Sequence, residues 1–327
     1  MRAGCRIMTL AFRSKERFSP GGGNEIRRIA GGKRFALMNA ANQPRSNSTF
    51  ESAGAAPRDI RKAVILARGL GKRMRSSDSS AHLAADQSRA ADAGMKAMIP
   101  IGRPFLDFVL SALADAGFTE ACLVVGPEHT AIREYYASAP ARRIKITFAI
   151  QEHPIGTANA LLAAESFTAG ESFLVLNSDN YYPVEIFRAL RTLGEPGLPA
   201  FERETLVRDG NIPPDRIRGY ALLKISPAGY LDRIVEKPDQ MPAAIAGEEI
   251  FISMNCWRFS PAIFRACREV PRSARGEFEL PEAVQFGLSS LGLRFKAIPF
   301  RAGVLDLSYR GDIAEVAKRL AGVRVEL

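Results

Sequence analysis

Residues 62–75 read KAVILARGLGKRMR, an apolar run that ends in two closely spaced glycines and a group of basic side chains. A short run of this kind, bounded by turn residues, is typical of a buried β-strand. Gly69 and Gly71 let backbone N–H groups approach an anion closely, and Lys72 and Arg73 add positive charge beside them. The stretch suits a strand followed by a phosphate-binding loop, but a plain tight turn explains a lone GxG motif at least as well. It matches neither GxxxxGK[ST] nor GxGxxG.

Short apolar runs alternate with amphipathic segments from residue 59 onward. The spacing predicts strands over residues 63–67, 121–125, 144–150 and 172–176. Between and after them it predicts helices over residues 104–116, 128–137, 157–164 and 183–193. That order indicates an α/β fold, a mostly parallel sheet with helices on both faces. Later segments add an antiparallel part and two helices: strands over residues 220–225, 231–235 and 250–259, and helices over 261–268 and 281–289.

Composition describes an ordinary globular chain without a membrane span. The 327 residues are 46% hydrophobic, enough to bury a sizeable α/β core. No apolar run reaches the ~18 residues that cross a bilayer, and the N-terminus lacks the apolar region of a signal peptide. We therefore expect a cytoplasmic protein. Four scattered cysteines and three scattered histidines support neither a disulfide framework nor a zinc site.

The net charge of +10 is concentrated at the N-terminus. Residues 1–57 hold ten Lys and Arg against three acidic residues, so this segment accounts for +7 of the total. Its Gly, Ser and Asn content and lack of periodicity predict a disordered basic tail, followed by a domain over residues 58–327. The tail could bind nucleic acid or an anionic surface, or be a transit peptide. The simpler interpretation is a leader without a folded role, or a start codon placed too early, with Met38 as a later candidate.

Acidic residues follow two further strands of the expected sheet. Ligands of open α/β sheets bind at the carboxyl ends of the strands, so residues at these points are candidates for a site. Asp179 follows the apolar run of the fourth predicted strand, and Asp306 follows another apolar run. Two carboxylates on one metal ion are typical of phosphoryl-transfer sites. An Asx turn or a helix N-cap explains Asp179 better when that residue is considered alone.

Several motifs together resemble one family. LARGLGKRM, KAMIPIGRPFLDFVL, IQEHPIGTANAL, LVLNSDNYY, GYALL, IVEKP, ISMNCWRF, RGEFEL and LDLS follow the order found in the sugar-1-phosphate nucleotidyltransferases, such as the glucose-1-phosphate thymidylyl- and uridylyltransferases. The resemblance covers residues 60–320. It implies a GT-A-like, Rossmann-type nucleotidyltransferase fold and the reaction of an NTP with a sugar 1-phosphate to give an NDP-sugar and pyrophosphate.

The same resemblance implies roles for individual residues. The catalytic cations would be Arg73 and Lys96, and the ligands of a Mg²⁺ cofactor would be Asp179 and Asp306. The nucleotide contacts would be Ala67, Gly69, Gly71, Gln151, Gly156 and Thr157. The sugar and sugar-phosphate contacts would be Tyr220, Glu236, Lys237 and Arg275. The match at Gln151 implies a pyrimidine nucleotide, UTP or dTTP.

The chain also departs from the family pattern. Arg68 stands where Ala or Gly is usual, and Lys72 replaces a usual Thr. The segment between Arg73 and Lys96 is about a dozen residues longer than the resemblance implies, and its Ala-rich middle could form a short helix. Ser178, Ala221, Asn255 and Ser308 occupy places where glycine is common.

These departures keep other functions open. One alternative is a catalytically silent relative that binds nucleotide sugars and regulates a partner. Another is a transferase that uses a non-sugar phosphate acceptor, and a third, based on the tail, is a nucleic-acid binder. The leading expectation is an enzyme that acts on an NTP and a sugar 1-phosphate and binds neither nucleic acid nor membrane, with a homo-oligomer as a possible assembly.

Overall fold

A computed structural model of the protein describes residues 59–236 and 251–327. The predicted tail, its boundary at residue 58 and Lys237 lie outside these residues and stay predictions.

The first half of the described chain alternates strands and helices. It contains β1 (Lys62–Leu66), α1 (Lys72–Arg75), α2 (Ala85–Asp92), a 3-10 turn (Lys96–Met98), α3 (Phe105–Asp115), β2 (Glu120–Val125), α4 (Thr130–Ser138), β3 (Lys145–Ile150), α5 (Thr157–Ala163), α6 (Glu165–Thr168) and β4 (Phe173–Asn177). This order agrees with the alternation that the sequence predicts.

The second half is richer in short strands. It contains β5 (Asn180–Tyr181), α7 (Val184–Thr192), β6 (Gly197–Glu202), α8 (Arg203–Asp209), a 3-10 turn (Pro214–Gly219), β7 (Ala221–Ile225), β8 (Leu231–Val235), β9 (Phe251–Ser253), β10 (Trp257–Phe259), α9 (Ile263–Glu269), α10 (Leu280–Leu291), β11 (Lys296–Phe300), β12 (Leu305–Asp306) and α11 (Asp312–Leu320).

One mixed sheet organises these elements. In the described part of the chain its strand order is β3-β2-β1-β4-β10-β6-β9-β7-β8, and β11 pairs with β6. The strands β3, β2, β1 and β4 are mutually parallel, whereas β10 is antiparallel to β4 and β6. The expected fold class, a mostly parallel sheet with an antiparallel addition, is confirmed.

Both faces of β1 are buried, which explains its continuous apolar run. Ala63 and Ile65 belong to one hydrophobic cluster, and Val64 and Leu66 belong to a second cluster on the other face. Residues of α3 and α7 lie in the first cluster, and residues of α5, α9 and α10 lie in the second. Burial on two faces requires apolar residues at every position, as in other central parallel strands.

A separate two-stranded sheet brings distant residues together. β12 pairs antiparallel with β5, and the register places Asp306 opposite Asn180. Asn180 directly follows Asp179 in the chain. This pairing therefore brings the two acidic residues of the predicted metal site to the same end of the main sheet.

The structure corrects the sequence-based assignment of several strands and bears out one suggested helix. The strand predicted over residues 250–259 is divided, because Asn255 between β9 and β10 adopts a left-handed conformation with φ 56°. The sequence did not predict β6 and β11, which contain Pro199 and Pro299. Proline argues against a strand because it removes a backbone donor.

The short helix that the sequence suggested for the Ala-rich segment is present as α2 (Ala85–Asp92).

Two other features of the described residues concern their side-chain chemistry and hydrophobicity. Cys122, Cys256 and Cys267 are free and buried, which is common for thiols in a protein core. In the same part of the chain, no helix is both long and apolar enough to span a bilayer.

Candidate active site

A cavity of about 330 Å³ lies at the carboxyl ends of β1, β3 and β4. Its lining includes nine of the residues that the resemblance assigned to the nucleotide, the reacting phosphates or the metal: Ala67, Gly69, Gly71, Arg73, Lys96, Gln151, Gly156, Thr157 and Asp179. This is the position that the topology of an open α/β sheet predicts for a ligand.

The loop after β1 is shaped by close backbone contacts. The backbone N–H of Ala67 donates to Val124 O at 2.9 Å, which continues the parallel pairing by one residue. Gly71 has φ 60°, and a Cβ atom there would lie 2.3 Å from Gly94 O. Only glycine fits this position, because a side chain would clash with the backbone and adopt an unfavourable conformation. By contrast, a Cβ atom at Gly69 would meet no atom within 4 Å.

Lys96 and Asp179 form an ion pair at the cavity wall. Lys96 Nζ donates to Asp179 Oδ2 at 2.8 Å, and the two side chains are 13% and 21% exposed. The pair connects the 3-10 turn Lys96–Met98 to the end of β4; this turn follows the long segment between Arg73 and Lys96. It fixes the ammonium group at the cavity and orients the carboxylate.

Asp306 is buried and held from two sides. Its Oδ1 accepts from Arg216 Nη2 at 2.7 Å, and its Oδ2 accepts from Asn180 Nδ2 at 3.1 Å. Burial and the nearby charge of Asp179 both raise the pKa of the Asp306 carboxyl group, against the opposing effects of Arg216 and others. Asp179 and Asp306 are therefore close enough to repel each other, and a cation between them would relieve that repulsion.

Arg216 is a residue of this site that sequence reasoning missed. Besides Asp306 it contacts Asp312, with Nη1 2.6 Å from Asp312 Oδ1, and its guanidinium lies 4.5 Å from the centre of the Tyr309 ring. Arg73 lies 5.1 Å from the same ring centre, and its Nη1 is 3.5 Å from Tyr309 Oη. Arg216 and Arg73 thus share one aromatic partner beside the acidic pair. Arg216 lies in a short segment, DRIRG, of which the quoted family motifs include only Gly219, at the start of GYALL.

The acidic pair fits a divalent metal ion. In the described ranges, no group of three or more His, Cys, Asp or Glu side chains could hold a metal by itself. A Mg²⁺ ion, however, is usually held by one or two carboxylates together with substrate phosphates and water. Asp179 and Asp306 supply hard oxygen donors of that kind, so a metal here would depend on phosphate oxygens to complete its coordination.

Gln151 is fixed by the loop that follows it. Its Nε2 donates to Gly156 O at 3.0 Å and to Asn159 Oδ1 at 2.9 Å, and the side chain is 4% exposed. A carbonyl oxygen can only accept, so the atom facing Gly156 O must be the amide nitrogen. Both amide hydrogens are therefore used, which leaves the amide oxygen as the acceptor that Gln151, a residue of the cavity lining, can offer to a ligand.

Backbone packing also determines the neighbouring loop. Gly156 has φ 122°, and a Cβ atom there would lie 2.2 Å from Phe278 O. Thr157 Oγ1 accepts from the backbone N–H of Leu280 at 2.8 Å, so this hydroxyl ties α5 to the start of α10. These two predicted nucleotide contacts therefore also hold the cavity wall together.

Three of the residues assigned to the sugar, Tyr220, Glu236 and Arg275, are described, and none of them belongs to this cavity lining. Arg275 Nη2 is 3.5 Å from Glu236 Oε1 and also pairs with Glu279. Tyr220 lies near Asp306, and burial together with that charge raises the pKa of its hydroxyl. Lys237 is outside the described residues. The structure thus groups Glu236 with Arg275, and Tyr220 with the acidic pair.

Comparisons with known proteins agree with this arrangement. A sequence model described as nucleotidyl transferase matches residues 62–296. The chain is 29% identical over 260 residues to the UTP–glucose-1-phosphate uridylyltransferase AglF of Haloferax volcanii, which covers 79% of this chain and 96% of that protein. It is 27% identical over 232 residues to a glucose-1-phosphate thymidylyltransferase of Streptomyces antibioticus, covering 68% of this chain but only 56% of that protein.

Solved structures show the same fold. A UDP-glucose pyrophosphorylase in complex with UDP-glucose matches with a TM-score of 0.63 and 16% identity, over 81% of this chain and 100% of that one. A UTP-bound UGPase from Acinetobacter baumannii matches with a TM-score of 0.60 and 17% identity, over 81% and 95% of the two chains. The family match spans most of the chain, and we conclude that this protein belongs to the nucleotidyl transferase family.

Proposed function

We propose that this protein transfers a nucleoside monophosphate from UTP or dTTP to a sugar 1-phosphate, giving an NDP-sugar and pyrophosphate. The observation that carries the proposal is the convergence of the glycine loop, Lys96 and Asp179 on one cavity. The named relatives, a uridylyltransferase and a thymidylyltransferase, support the same reaction class.

The proposed reaction needs no general base. An oxygen of the sugar phosphate attacks the α-phosphorus of the NTP, and the bond to the bridging oxygen of pyrophosphate breaks. The second pKa of a phosphate monoester is near ~6, so the nucleophile is already ionised at neutral pH. The enzyme must instead align two anions that repel each other and stabilise the charge on the leaving group.

The cations of the site fit this task. Lys96 lies at the cavity wall with its ammonium group fixed by Asp179, and Arg73 lines the same cavity. We assign both to the phosphates of the NTP. Members of this family use a divalent metal ion, which we propose to be Mg²⁺ held by Asp179 and Asp306. When bound, it would supply positive charge to the reacting phosphates.

The proposed base preference follows from Gln151. Its two amide hydrogens are engaged within the protein, so Gln151 can offer only its oxygen to a ligand, and the N3–H group of uracil or thymine is a donor that would match it. Cytosine carries no hydrogen at N3. We take glucose 1-phosphate as the default acceptor and the cytoplasm as the site of action, and a homo-oligomer stays a prediction.

Pyrophosphate release across four NTPs and a dozen sugar 1-phosphates, with Mg²⁺ present, tests the proposal. We expect the highest rates with UTP or dTTP, and release only when both substrates are present. An Asp179→Asn variant serves as the negative control. A blank grid would favour a silent relative or a non-sugar acceptor, and release without a sugar phosphate would indicate hydrolysis.

A further inference from the structure

Arg68 is a buried cation with unused hydrogen-bond donors at the wall of the cavity. It directly follows β1 and Ala67, lines the cavity together with Gln151 and Gly156, and is only 7% exposed. Nη2 donates to Glu128 Oε2 and to Glu152 O, each at 3.2 Å. Nε and Nη1 are buried and have no acceptor among the residues of the described ranges.

The unused donors require an explanation. A guanidinium group has five N–H bonds, and the two on Nη2 already have partners. Three N–H bonds on Nε and Nη1 therefore remain without acceptors, and burying such groups unpaired is costly. An acceptor brought by a ligand would remove this penalty.

The position of Arg68 points to the base and not to the triphosphate. In the sheet, β2 and β3 lie on one side of β1, and β4 lies on the other. The partners of Arg68 are at the β2 and β3 ends, because Glu128 follows β2 and Glu152 directly follows Gln151. Lys96 pairs with Asp179 at the β4 end. Arg68 thus lies on the same side as the acceptor oxygen of Gln151.

Gly126 provides the space that this arrangement needs. A Cβ atom at Gly126 would lie 2.4 Å from Arg68 Nε and 2.3 Å from Glu128 Oε2. The guanidinium and the carboxylate therefore pack against bare backbone at the end of β2. Glu128 holds the charged group in place from the outer side, where its own side chain is 49% exposed.

We propose that Arg68 is a nucleobase-recognition residue that donates to a carbonyl oxygen of the base and selects oxo bases over amino bases. This inference rests on the proposed function. Uracil, thymine and guanine each present a ring N–H next to a carbonyl oxygen, which complements the Gln151 oxygen and the Arg68 donors. Cytosine and adenine present an amino group beside an unprotonated ring nitrogen, which sets donor against donor and acceptor against acceptor.

Nucleotide binding without the sugar phosphate tests Arg68 separately from turnover. Isothermal titration calorimetry with Mg²⁺ would compare UTP, GTP, CTP and ATP on the parent and on Arg68→Ala. Because a hydrogen bond from a charged donor contributes strongly to binding, Arg68→Ala should raise the Kd of UTP and GTP by about ten- to a hundredfold. Binding of CTP and ATP should weaken by less than about threefold, because an amino group (N4 of cytosine, N6 of adenine) replaces the carbonyl oxygen O4 of uracil or O6 of guanine that Arg68 would contact.

Two further variants make the test specific. Arg68→Lys keeps the charge that faces Glu128 but removes the Nε and Nη1 donors, so it should fold and still lose the preference for UTP over CTP. Lys72→Ala removes an exposed charge from the same loop, where it would face the phosphates that all four nucleotides share. It should therefore raise the Kd of all four nucleotides by the same factor. Thermal unfolding of each variant checks that the fold is intact.

The outcomes distinguish this inference from the proposed function. An unchanged ratio of UTP to CTP affinity in both Arg68 variants, or an equal loss for all four nucleotides, would overturn the role of Arg68 while leaving the enzyme assignment standing. A parent protein that binds no nucleotide would overturn both.

Discussion

Replacing Lys96 by alanine tests the proposed catalytic cation. Lys96 Nζ lies 2.8 Å from Asp179 Oδ2, and both side chains are mostly buried. Breaking a fully buried pair costs about 3–5 kcal/mol of unfolding free energy. Because Lys96 and Asp179 are 13% and 21% exposed, water partly screens this pair. We therefore expect Lys96→Ala to lower the unfolding free energy by roughly 1–3 kcal/mol, less than for a fully buried pair.

The effect on turnover should exceed the effect on stability. Removing one group that stabilises charge in a transition state typically lowers kcat by about a hundred- to a thousandfold, or roughly 3–4 kcal/mol. In Lys96→Ala the phosphates would lose one cation, and Asp179 would lose its counter-charge while still facing Asp306. We expect at least a hundredfold drop in the rate of pyrophosphate release at saturating substrates.

Lys62 offers a matched control at the opposite end of β1. Lys62 Nζ pairs with Glu171 Oε1 at 2.9 Å, and the Lys62 side chain is 10% exposed. Lys62→Ala removes a lysine that is as buried as Lys96, although its partner Glu171 is 64% exposed. Because Lys62 is absent from the cavity lining, the change should lower the midpoint of thermal unfolding and alter kcat by less than about twofold. A Lys96→Ala enzyme that keeps more than about a fifth of the parent kcat would refute the role assigned to Lys96.

Three other predictions follow from the buried groups and the glycines. Arg216→Ala should lower kcat/KM by at least tenfold. The acid limb of its pH profile of kcat/KM should also move to higher pH, because Arg216 lowers the pKa of the Asp306 carboxyl group, which the proposed metal site needs in its ionised form. A limb at the same pH as in the parent would contradict this. Gly156→Ala should cost about 1–3 kcal/mol in urea unfolding, whereas Gly219→Ala, whose Cβ atom meets nothing within 4 Å, should cost less; equal losses would contradict the packing argument. Burial raises the pKa of the Cys122 thiol to about 11. The stability that the neutral buried thiol contributes is therefore complete below the unfolded-state value of ~9 and is lost as the pH rises from ~9 to about 11. Between pH 8 and pH 10 the parent should therefore lose about 1.4 kcal/mol more unfolding free energy than Cys122→Ala, and identical pH dependence would contradict the shift.

The central half of the sheet could be predicted because its signals are local. The strands β1, β2 and β4 are continuous apolar runs, and α3 places apolar residues throughout its length. Parallel strands end at one edge, so the residues that follow them were expected to meet, and the cavity lining agrees with that expectation.

The remaining parts depend on contacts between distant residues. Pro199 and Pro299 hide β6 and β11 from a sequence-based prediction, and pairing with distant strands shows them to be strands: β6 with β9, β10 and β11, and β11 with β6. Arg216 and Asp306 are 90 residues apart in the chain and carry no shared motif. Arg68 was identified in the sequence as a departure from the family pattern, but its direction toward Glu128 and Glu152 depends on the folded loop.

The fate of a labelled α-phosphate tests the proposed reaction most directly. The protein is incubated with Mg²⁺, glucose 1-phosphate and UTP carrying a radioactive α-phosphorus, and the products are separated by chromatography. We expect label in a UDP-sugar, unlabelled pyrophosphate in equal amount, and at least a hundredfold slower formation of both products with Lys96→Ala. The experiment is repeated with every sugar 1-phosphate of the set and with labelled dTTP. The proposed reaction would be contradicted if the label in all cases stayed in the NTP or was released as the free nucleoside monophosphate.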